Sequence, residues 1–383
     1  MSTDVYDNIA ANLPPDDGPF ALAFSGGGDS LALLKYLKDH TGLKAVLHVD
    51  HGLRGGSEDD AVRAGELAKS LGYELTVLRW TPEGLKSGLQ EKARNVRYGL
   101  MGEYCRAHDI SALVTAHHAD DQAETVLMRV KRASGWRGAA GIWPQRYAPV
   151  WPELAGVTLY RPALNVSRFD LRANLGSLNP VNDPSNLNTD FARVRAREEL
   201  SSDPQLTQDM LELSAEMTIG ICAELDRIRT ELRGYHLTHE GQFSVPRLIG
   251  APALALIVPI IGGQSGPANR MRVTEKLAPL ASGETVPIGG GCIGQWDGEI
   301  LTLSRDPVAI SGRRQGRVAP TAMPIQIVPE PFIWDGRFLV SGSAGQLHPE
   351  RRGPHVGFRV LYGRGVKVRN LVKERLDAAL TGM

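Results

Sequence analysis

The sequence predicts an α/β protein: a parallel sheet with helices on both faces, then a helical region, then a small, mostly β C-terminal domain. Three observations carry that expectation. Short apolar runs alternate with helix-period stretches from residue 20 to residue 130. The richest polar clusters fall just after such runs, where parallel strands end and ligands bind. Beyond Gly283 the texture changes to short strand-like runs separated by turn dipeptides.

Residues 20–24 (FALAF) read as a buried strand that runs straight into three glycines, and Leu31, Leu33, Leu34 and Leu37 then recur at helical spacing. Residues 44–49, 74–78 and 112–115 give three more strands, with helices expected at 58–71, 92–108 and 120–132. Strands alternating with helices imply right-handed crossovers and therefore a parallel sheet. Residues 135–190, rich in Gly, Pro, Trp and Asn, read as loops around the sheet edge. From 191 to 232 the pattern is helical, with Leu200, Leu211, Leu213 and Ile219 among its apolar positions, and helical material continues with breaks to Leu280. Asp297-Gly298 and Asp335-Gly336 mark two hairpins, and 372–380 a final helix. The expected domains are therefore 1–190, 191–282 and 283–383.

Composition narrows the class. With 383 residues, 42% hydrophobic and 22% charged, there is ample material for a soluble globular core. Residues 1–12 lack a basic region followed by a long apolar run, and no window approaches bilayer-spanning length, so neither a secretory signal nor a membrane segment is expected. Cys105, Cys222 and Cys292 are far apart and form no CxxC pair, which argues against a disulfide framework and for a reducing cytoplasm. Lys plus Arg equal Asp plus Glu at 43 each, so any attraction to nucleic acid must come from local clusters. Whether the chain forms a homodimer is left open.

The segment Ser25-Gly26-Gly27-Gly28-Asp29-Ser30 joins a strand to a helix. Glycines let the backbone approach an anion and adopt positive φ, and the helix N-terminus complements negative charge. Ser25 and Ser30 add hydroxyl donors. A carboxylate such as Asp29 repels phosphate unless a cation lies between them, which implies Mg2+. The spacing is neither GxxxxGK nor GxGxxG. SGGGDS instead matches the SGGxDS signature of the PP-loop ATP pyrophosphatases, whose fold resembles that of the adenine nucleotide alpha hydrolases. That resemblance implies ATP, with a substrate oxygen adenylated and pyrophosphate released.

Further blocks resemble one branch, the tRNA(Ile)-lysidine synthetases. His48-Val-Asp-His-Gly-Leu-Arg54 with Ser57-Glu-Asp-Asp60 is similar to its HVxHGLR…SxxD segment, and Ala93-Arg94-Asn-Val-Arg97-Tyr98 to its ARxxRY motif. The run from Ala116 to Thr125 matches AHHxxDQxET; Arg161-Pro162, Ser167-Arg168 and Asp183-Pro-Ser-Asn186 follow, then a helix at 191–200 carrying Arg193, Arg195 and Arg197. The match covers about residues 20–200. Ala133 stands where the family usually has Gly, Pro180 and Asn182 replace Trp and Glu, and Val194 replaces Asn; the segment after Arg375 is expected to be shortened.

The resemblance implies ligation of L-lysine to C2 of the wobble cytidine of isoleucine tRNA bearing a CAU anticodon. It places ATP on Ser25 to Ser30 with His48 and His51, and assigns the chemistry to Asp29, Arg97, Asp121, Arg193 and Arg197. Asp29 and Asp121 are candidates for holding Mg2+ or the lysine ammonium, although Asp121 could instead cap the helix after it. Arg193 and Arg197, four apart, share a helix face, and Arg195 points elsewhere. Adjacent His117 and His118 lack the third ligand that zinc requires and fit the shaping of a nucleotide pocket better. Trp136, Trp143 and Trp151 interleave with Arg132, Arg137 and Arg146, a pattern suited to unstacked bases, although loop tryptophans more often pack against a domain edge; Arg132, Arg137 and Arg195 are the candidates for contact with tRNA. Arg313, Arg314, Arg317, Arg351 and Arg352 are further candidates for its backbone. The competing readings are a PP-loop tRNA-thiolating enzyme, which the isolated cysteines disfavour, and a non-catalytic tRNA-binding derivative, which Asp29, Arg97 and Asp121 disfavour.

Overall fold

The computed structural model describes residues 3–15, 18–52, 56–80, 89–181, 192–266, 268–306, 309, 313–314, 317–318, 325–327, 331–342, 344–352, 355–364 and 366–382; at 3–4, 89–91, 313–314, 317–318, 325–327, 344–352 and 355–364 the description is of backbone alone. Arg54, the segment 183–186 and Phe191 lie outside the described residues, as do the side chains of Arg313, Arg314, Arg317, Arg351 and Arg352. The chain divides into two compact units, residues 1–146 with 157–223, and residues 147–156 with 224–383. Among the described residues no helix is long and apolar enough to cross a membrane.

The first unit runs α1 (Thr3–Ala11), β1 (Phe20–Ala23), α2 (Gly28–Tyr36), β2 (Leu43–Asp50), α3 (Ser57–Ser70), β3 (Leu75–Arg79), α4 (Leu89–Ala107), β4 (Ala112–Val114) and α5 (Ala119–Lys131). There follow α6 (Gly135–Ala139), β5 (Gln145–Tyr147), β6 (Thr158–Tyr160), α7 (Arg168–Arg172), α8 (Ala192–Ser202) and α9 (Pro204–Glu231), within which the division falls. The sheet order is β3-β2-β1-β4-β6-β5. β1 pairs in parallel with β2 on one side and β4 on the other, and β2–β3 and β4–β6 are parallel too. The order therefore reverses at β1, and the crevice beyond its carboxyl end is the topological switch point at which such sheets bind ligands. The glycine loop leaves β1 at that place.

The core explains why β1 and α2 hold the loop firmly. Phe20, Leu22 and Phe24 pack with Leu31, Leu33 and Leu34, all at most 1% exposed. Each such side chain contributes roughly 1.5–3 kcal/mol on burial. α2 is apolar around most of its circumference and buries Gly28, Ser30, Leu31, Ala32, Leu33, Leu34 and Tyr36. It is a core helix with almost no solvent face.

The stretch read as loops also contains α6, β5, β6 and α7. β6 is three residues long, aligned on β4 from Ala112↔Thr158 to Val114↔Tyr160. A three-residue strand between Gly- and Pro-rich turns carries no periodicity to read. Gln122, buried on α5, ties this stretch down: its Nε2 donates to Ile142 O (3.1 Å) and Ser214 Oγ (2.7 Å), and its Oε1 accepts from the Ile142 N–H (2.6 Å).

In the second unit, β7 (His236–Leu237) and β8 (Phe243–Val245) precede α10 (Ala251–Ile261), α11 (Arg270–Thr274) and α12 (Leu277–Ala281). β9 (Val286–Gly289), β10 (Cys292–Trp296) and β11 (Leu301–Arg305) complete an antiparallel sheet ordered β7-β8-β11-β10-β9. Since β8 pairs with β11, residues on both sides of position 282 share one sheet. The hairpin at Asp297 forms as expected, its Oδ1 accepting from the Glu299 and Ile300 N–H groups. β12 (Arg313–Arg314), β13 (Arg317–Val318), β15 (Phe332–Trp334), β16 (Phe338–Ser341) and β19 (Lys367–Asn370) form a second sheet, and β14 (Ile325–Ile327), β17 (Ala344–Arg352) and β18 (His355–Arg364) a third. The Asp335-Gly336 turn between β15 and β16 has φ of 51° and 62°, the backbone of a type I′ hairpin. The Asp335 carboxylate is buried there between Arg305 and Arg337. α13 (Val372–Thr381) closes the unit.

Of the two readings of the loop tryptophans, Trp151 takes the packed one. It is buried, donates Nε1–H to Gly336 O (2.9 Å), and lies under the Arg375 guanidinium at 4.3 Å. It packs within the second unit.

Ala133, after α5, has a φ of 50°, in the left-handed region. A Cβ there costs about 1–2 kcal/mol, and glycine adopts it freely. Ala133→Gly is expected to stabilise the protein by up to about 1 kcal/mol, offset in part by greater unfolded-state entropy; chemical denaturation checks the sign.

Candidate active site

The glycine loop is shaped by its own hydroxyls. Ser30 Oγ donates to Gly27 O (3.0 Å) and accepts from the Ser25 N–H (3.3 Å), and Ser25 Oγ accepts from the Gly27 N–H (3.3 Å). Gly26 has a φ of 79°, and a Cβ on it would lie 3.0 Å from both Ala64 Cβ and Val181 Cγ2. Both conformation and space therefore require glycine. The loop ends as the N-cap of α2, so the helix presents its positive end there.

Asp29, in the first turn of α2, receives a two-pronged contact from Arg172 on α7: Nε to Oδ1 at 2.6 Å and Nη2 to Oδ2 at 3.1 Å. The same guanidinium lies on Gly28, where a Cβ would meet Arg172 Cζ at 2.7 Å. Arg168 Nε is 3.9 Å from Asp29 Oδ1. His118 Nε2, at the N-cap of α5, lies 3.7 Å from Asp29 and 3.6 Å from Asp121, while its Nδ1 is 3.6 Å from Asp120. Burial alone would lower the His118 pKa, but Asp120, Asp29 and Asp121 raise it to about 9. Burial would raise Asp29, yet His118 and Arg172 hold it far below the usual carboxylate range. Asp120, lowered first by the His118 ring 3.6 Å away and then by the Arg168 N–H it accepts (2.8 Å), falls to about 2. Protonation removes the lone pair that His118 Nδ1 would offer the Asp121 N–H, a contact already long at 3.4 Å. Three carboxylates at 3.6–3.7 Å favour the charged ring and raise its pKa above the ordinary histidine value.

Asp121 caps α5, its Oδ2 accepting from the His118 N–H (3.1 Å), and also joins a network with α8. The capping and functional readings of this residue thus coincide. Arg193 donates to Asp121 Oδ1 (2.5 Å) and Glu124 Oε2 (2.7 Å), and Arg197 to Glu124 Oε1 (2.7 Å). Glu124 is 2% exposed in its side chain, Arg193 46% and Arg197 32%. The two arginines therefore span from a buried carboxylate to solvent. Burial opposes the Arg193 charge, and Asp121 and Glu124 more than restore it.

His48 is buried with Nδ1 3.0 Å from Phe24 O, and burial lowers its pKa. His51 Nδ1 is buried without a partner; burial and then Arg97 and His48 keep that ring neutral. Arg97 lies near enough to Arg193 for each charge to oppose the other, though burial lowers its pKa most. Asp29, Asp121, Arg193, Arg197, Arg97, His48 and His51 thus gather around the strand ends. Arg132 does not: it is the C-cap of α5, about 16 Å along the helix from Asp121. Arg137 stacks on Trp136 (5.1 Å), and Arg195 is exposed on the other side of α8 from Ala196.

Sequence reasoning missed Glu124, Arg172, Arg168 and Asp120. Glu124 stands three residues after Asp121 and therefore on its helix face, a signal that was readable. Arg172 sits on a five-residue helix within the stretch read as loop, where nothing local marks it.

Among the described residues no group of three or more His, Cys, Asp or Glu is arranged to hold a metal. Asp29 and Asp121 are already engaged by guanidinium groups. Their hard oxygens fit a magnesium ion carried in on a triphosphate, which needs one or two carboxylates, and do not make a cage for a resident ion.

A family model described as a PP-loop domain matches residues 2–203. A tRNA(Ile)-lysidine synthase of Ruegeria pomeroyi is 31% identical over 339 residues, covering 84% of this chain and 76% of that protein. Those of Novosphingobium aromaticivorans and Methylobacterium nodulans are 35% and 33% identical, and the matches cover 85% and 94% of them and 71% and 78% of this chain. The chain belongs to the tRNA(Ile)-lysidine synthase family. Among solved structures, a U34-tRNA thiolase of Methanococcus maripaludis aligns with a TM-score of 0.46 at 15% identity over 56% of this chain and 78% of that one, a likeness too slight to bear on the assignment. In this lysidine synthase family member, the glycine loop is the PP-loop and the His118 cluster is its neighbour at the next strand end.

The charge on His118 has a measurable consequence. Its folded pKa, about 9, lies above the ordinary value near 6.5, so its stabilisation is full below that ordinary value and is lost as pH rises through about 9. The loss is on the order of 1–3 kcal/mol. Denaturation curves from pH 6 to 10 are expected to show it in the wild type, and a smaller alkaline loss in His118→Gln.

Proposed function

We propose that this protein joins L-lysine, through its ε-amine, to C2 of the wobble cytidine of an isoleucine tRNA with a CAU anticodon, converting ATP to AMP and pyrophosphate. The observation that carries the reading is the adjacency of two devices at the switch point. A glycine loop suited to a triphosphate stands beside a carboxylate–guanidinium network that reaches from a buried Glu124 to solvent.

In the first step cytidine O2 attacks the α-phosphorus, an O–P bond forms, and the P–O bond to pyrophosphate breaks. Negative charge grows on the phosphate oxygens, and Arg97 and Arg193, held near one another, supply fixed positive charge to stabilise it. In the second step the free amine attacks C2, the C2–O2 bond breaks, AMP departs with that oxygen, and the nitrogen gives up a proton. Asp121 is proposed to orient the lysine amine, with Arg193 and Arg197 fixing the carboxylates around it. Asp29 is the residue that would meet magnesium brought by the triphosphate, an ion that supplies charge neutralisation. His48 and His51, both neutral, line the side toward β2 where the rest of the nucleotide is proposed to lie.

The thiolation reading finds no support in the cysteines. Cys105 and Cys292 are buried with thiols pushed up to about 12, which suits no nucleophile, and Cys222 is exposed on α9. The regions 191–282 and 283–383 are proposed to grip the tRNA body, and the protein to work in the cytoplasm.

Incubation with ATP, Mg2+, labelled lysine and CAU isoleucine tRNA, followed by nucleoside mass spectrometry, is expected to give a lysine–cytidine adduct. Folded protein that makes none would refute the assignment. Asp29→Asn is expected to lower turnover at least about 100-fold with tRNA binding retained, since it removes a charge at the triphosphate and none toward RNA; simultaneous loss of tRNA binding would contradict that role.

A further inference from the structure

Two strands beyond the phosphate loop, at the carboxyl end of β6, Arg161 turns inward. It is 5% exposed; its Nη1 donates to Trp143 O (2.6 Å), and its Nε is buried without a partner. Arg94 and Arg146 lie near enough for their charges to act on it, and both, like Arg97, are open to solvent. Arg94 and Arg97 lie over the same Tyr98 ring, at 5.1 and 6.0 Å. Burial, then Arg94 and Arg146, press Arg161 down to about 10. His117, its Nδ1 2.9 Å from Thr115 Oγ1, is kept neutral by burial and by Arg161, Arg193, Arg94 and Arg97. Arg97 and Arg146 are accessible, yet surrounding protein lowers their pKa, as for cations lining a cleft.

Among the described residues, none of Arg94, Arg97, Arg146 and Arg161 has a carboxylate partner within ion-pair distance, whereas Arg172, Arg193 and Arg197 all do. Like charges gathered without counter-charge are unfavourable until a polyanion arrives. The triphosphate has its own loop, about 10 Å away across two strand spacings. We propose that Arg161 from the floor, with Arg94 and Arg146 from the rim, holds backbone phosphates of the single-stranded RNA beside the nucleotide presented to the phosphate loop. This rests on the tRNA-modifying reading above. Neutral His117 beneath the cluster leaves its charge to the arginines alone.

Because Arg161 also holds the Trp143 carbonyl, the rim residues carry the test. Arg146→Ala, Arg146→Lys and the double variant Arg94→Ala/Arg146→Ala of the full chain are titrated with CAU isoleucine tRNA across a salt series, and with labelled ATP alone by equilibrium dialysis. Each lost phosphate contact on a single strand is expected to reduce the slope of log affinity against log salt by about 0.7, and the double variant to bind tRNA at least about tenfold more weakly near 0.1 M salt. Arg146→Lys should keep the wild-type slope, and ATP affinity should be unchanged throughout. A double variant with the wild-type slope, or one that loses ATP affinity instead, overturns the proposal. Wild-type protein that binds no tRNA overturns the functional reading itself, and this one with it.

Discussion

Everything at this site depends on one buried histidine. His118 lies at the junction of β4 and α5, 2% exposed, with Asp29 from α2 and Asp120 and Asp121 from its own helix within 3.7 Å. Carboxylates this close repel one another unless a cation stands among them. The His118 ring stands among them together with the Arg172 and Arg193 guanidinium groups, and the carboxylates favour its charged form against a burial that disfavours it. Because Asp29 belongs to the phosphate loop and Asp121 to the α5–α8 network, His118 also couples the two halves of the site.

The remaining charges follow from that arrangement. Asp29 takes Arg172, Asp121 and Glu124 take Arg193, and Glu124 takes Arg197, while Asp120 accepts the Arg168 backbone N–H. Planar, bidentate guanidinium suits this use better than lysine would. In the proposed reaction, magnesium carried in on the triphosphate would compete with Arg172 for Asp29. Across β6 the pattern reverses: among the described residues, Arg161, Arg94 and Arg146 have no carboxylate within ion-pair distance. The strand ends therefore run from compensated to uncompensated positive charge, a gradient suited to two different anions.

Much of this was legible in the sequence, for physical reasons that differ by element. β1 and α2 were readable because a buried strand and a core helix are continuous in apolar residues, and the glycines between them are demanded by a φ of 79° at Gly26. The two Asp-Gly hairpins were readable because Asp and Gly favour tight turns, with left-handed backbone at Gly298 in one and at both Asp335 and Gly336 in the other. β6 and α7 were not, being three and five residues long, below the length at which a period can be counted. β7 and β8 were hidden likewise within a stretch otherwise helical. At the site, the family resemblance named Asp29, Asp121, Arg193 and Arg197, which the fold brings to the strand ends, but not their partners. Glu124 shares the Asp121 face and could have been inferred, whereas Arg172 reaches Asp29 across 143 positions and could not. For the tryptophans the sequence left base stacking and packing both open, and Trp151 is packed under Arg375.

The central claim is that His118 carries a proton at neutral pH and so holds the carboxylates together. Imidazole resonances of isotopically labelled protein, assigned through His118→Gln and followed across pH 5 to 10, test it directly. The account predicts that His118 titrates near 9, well above an ordinary histidine. Titration at or below about 6.5 would contradict it, and would mean that the cluster is held by Arg172 and Arg193 without the histidine's charge.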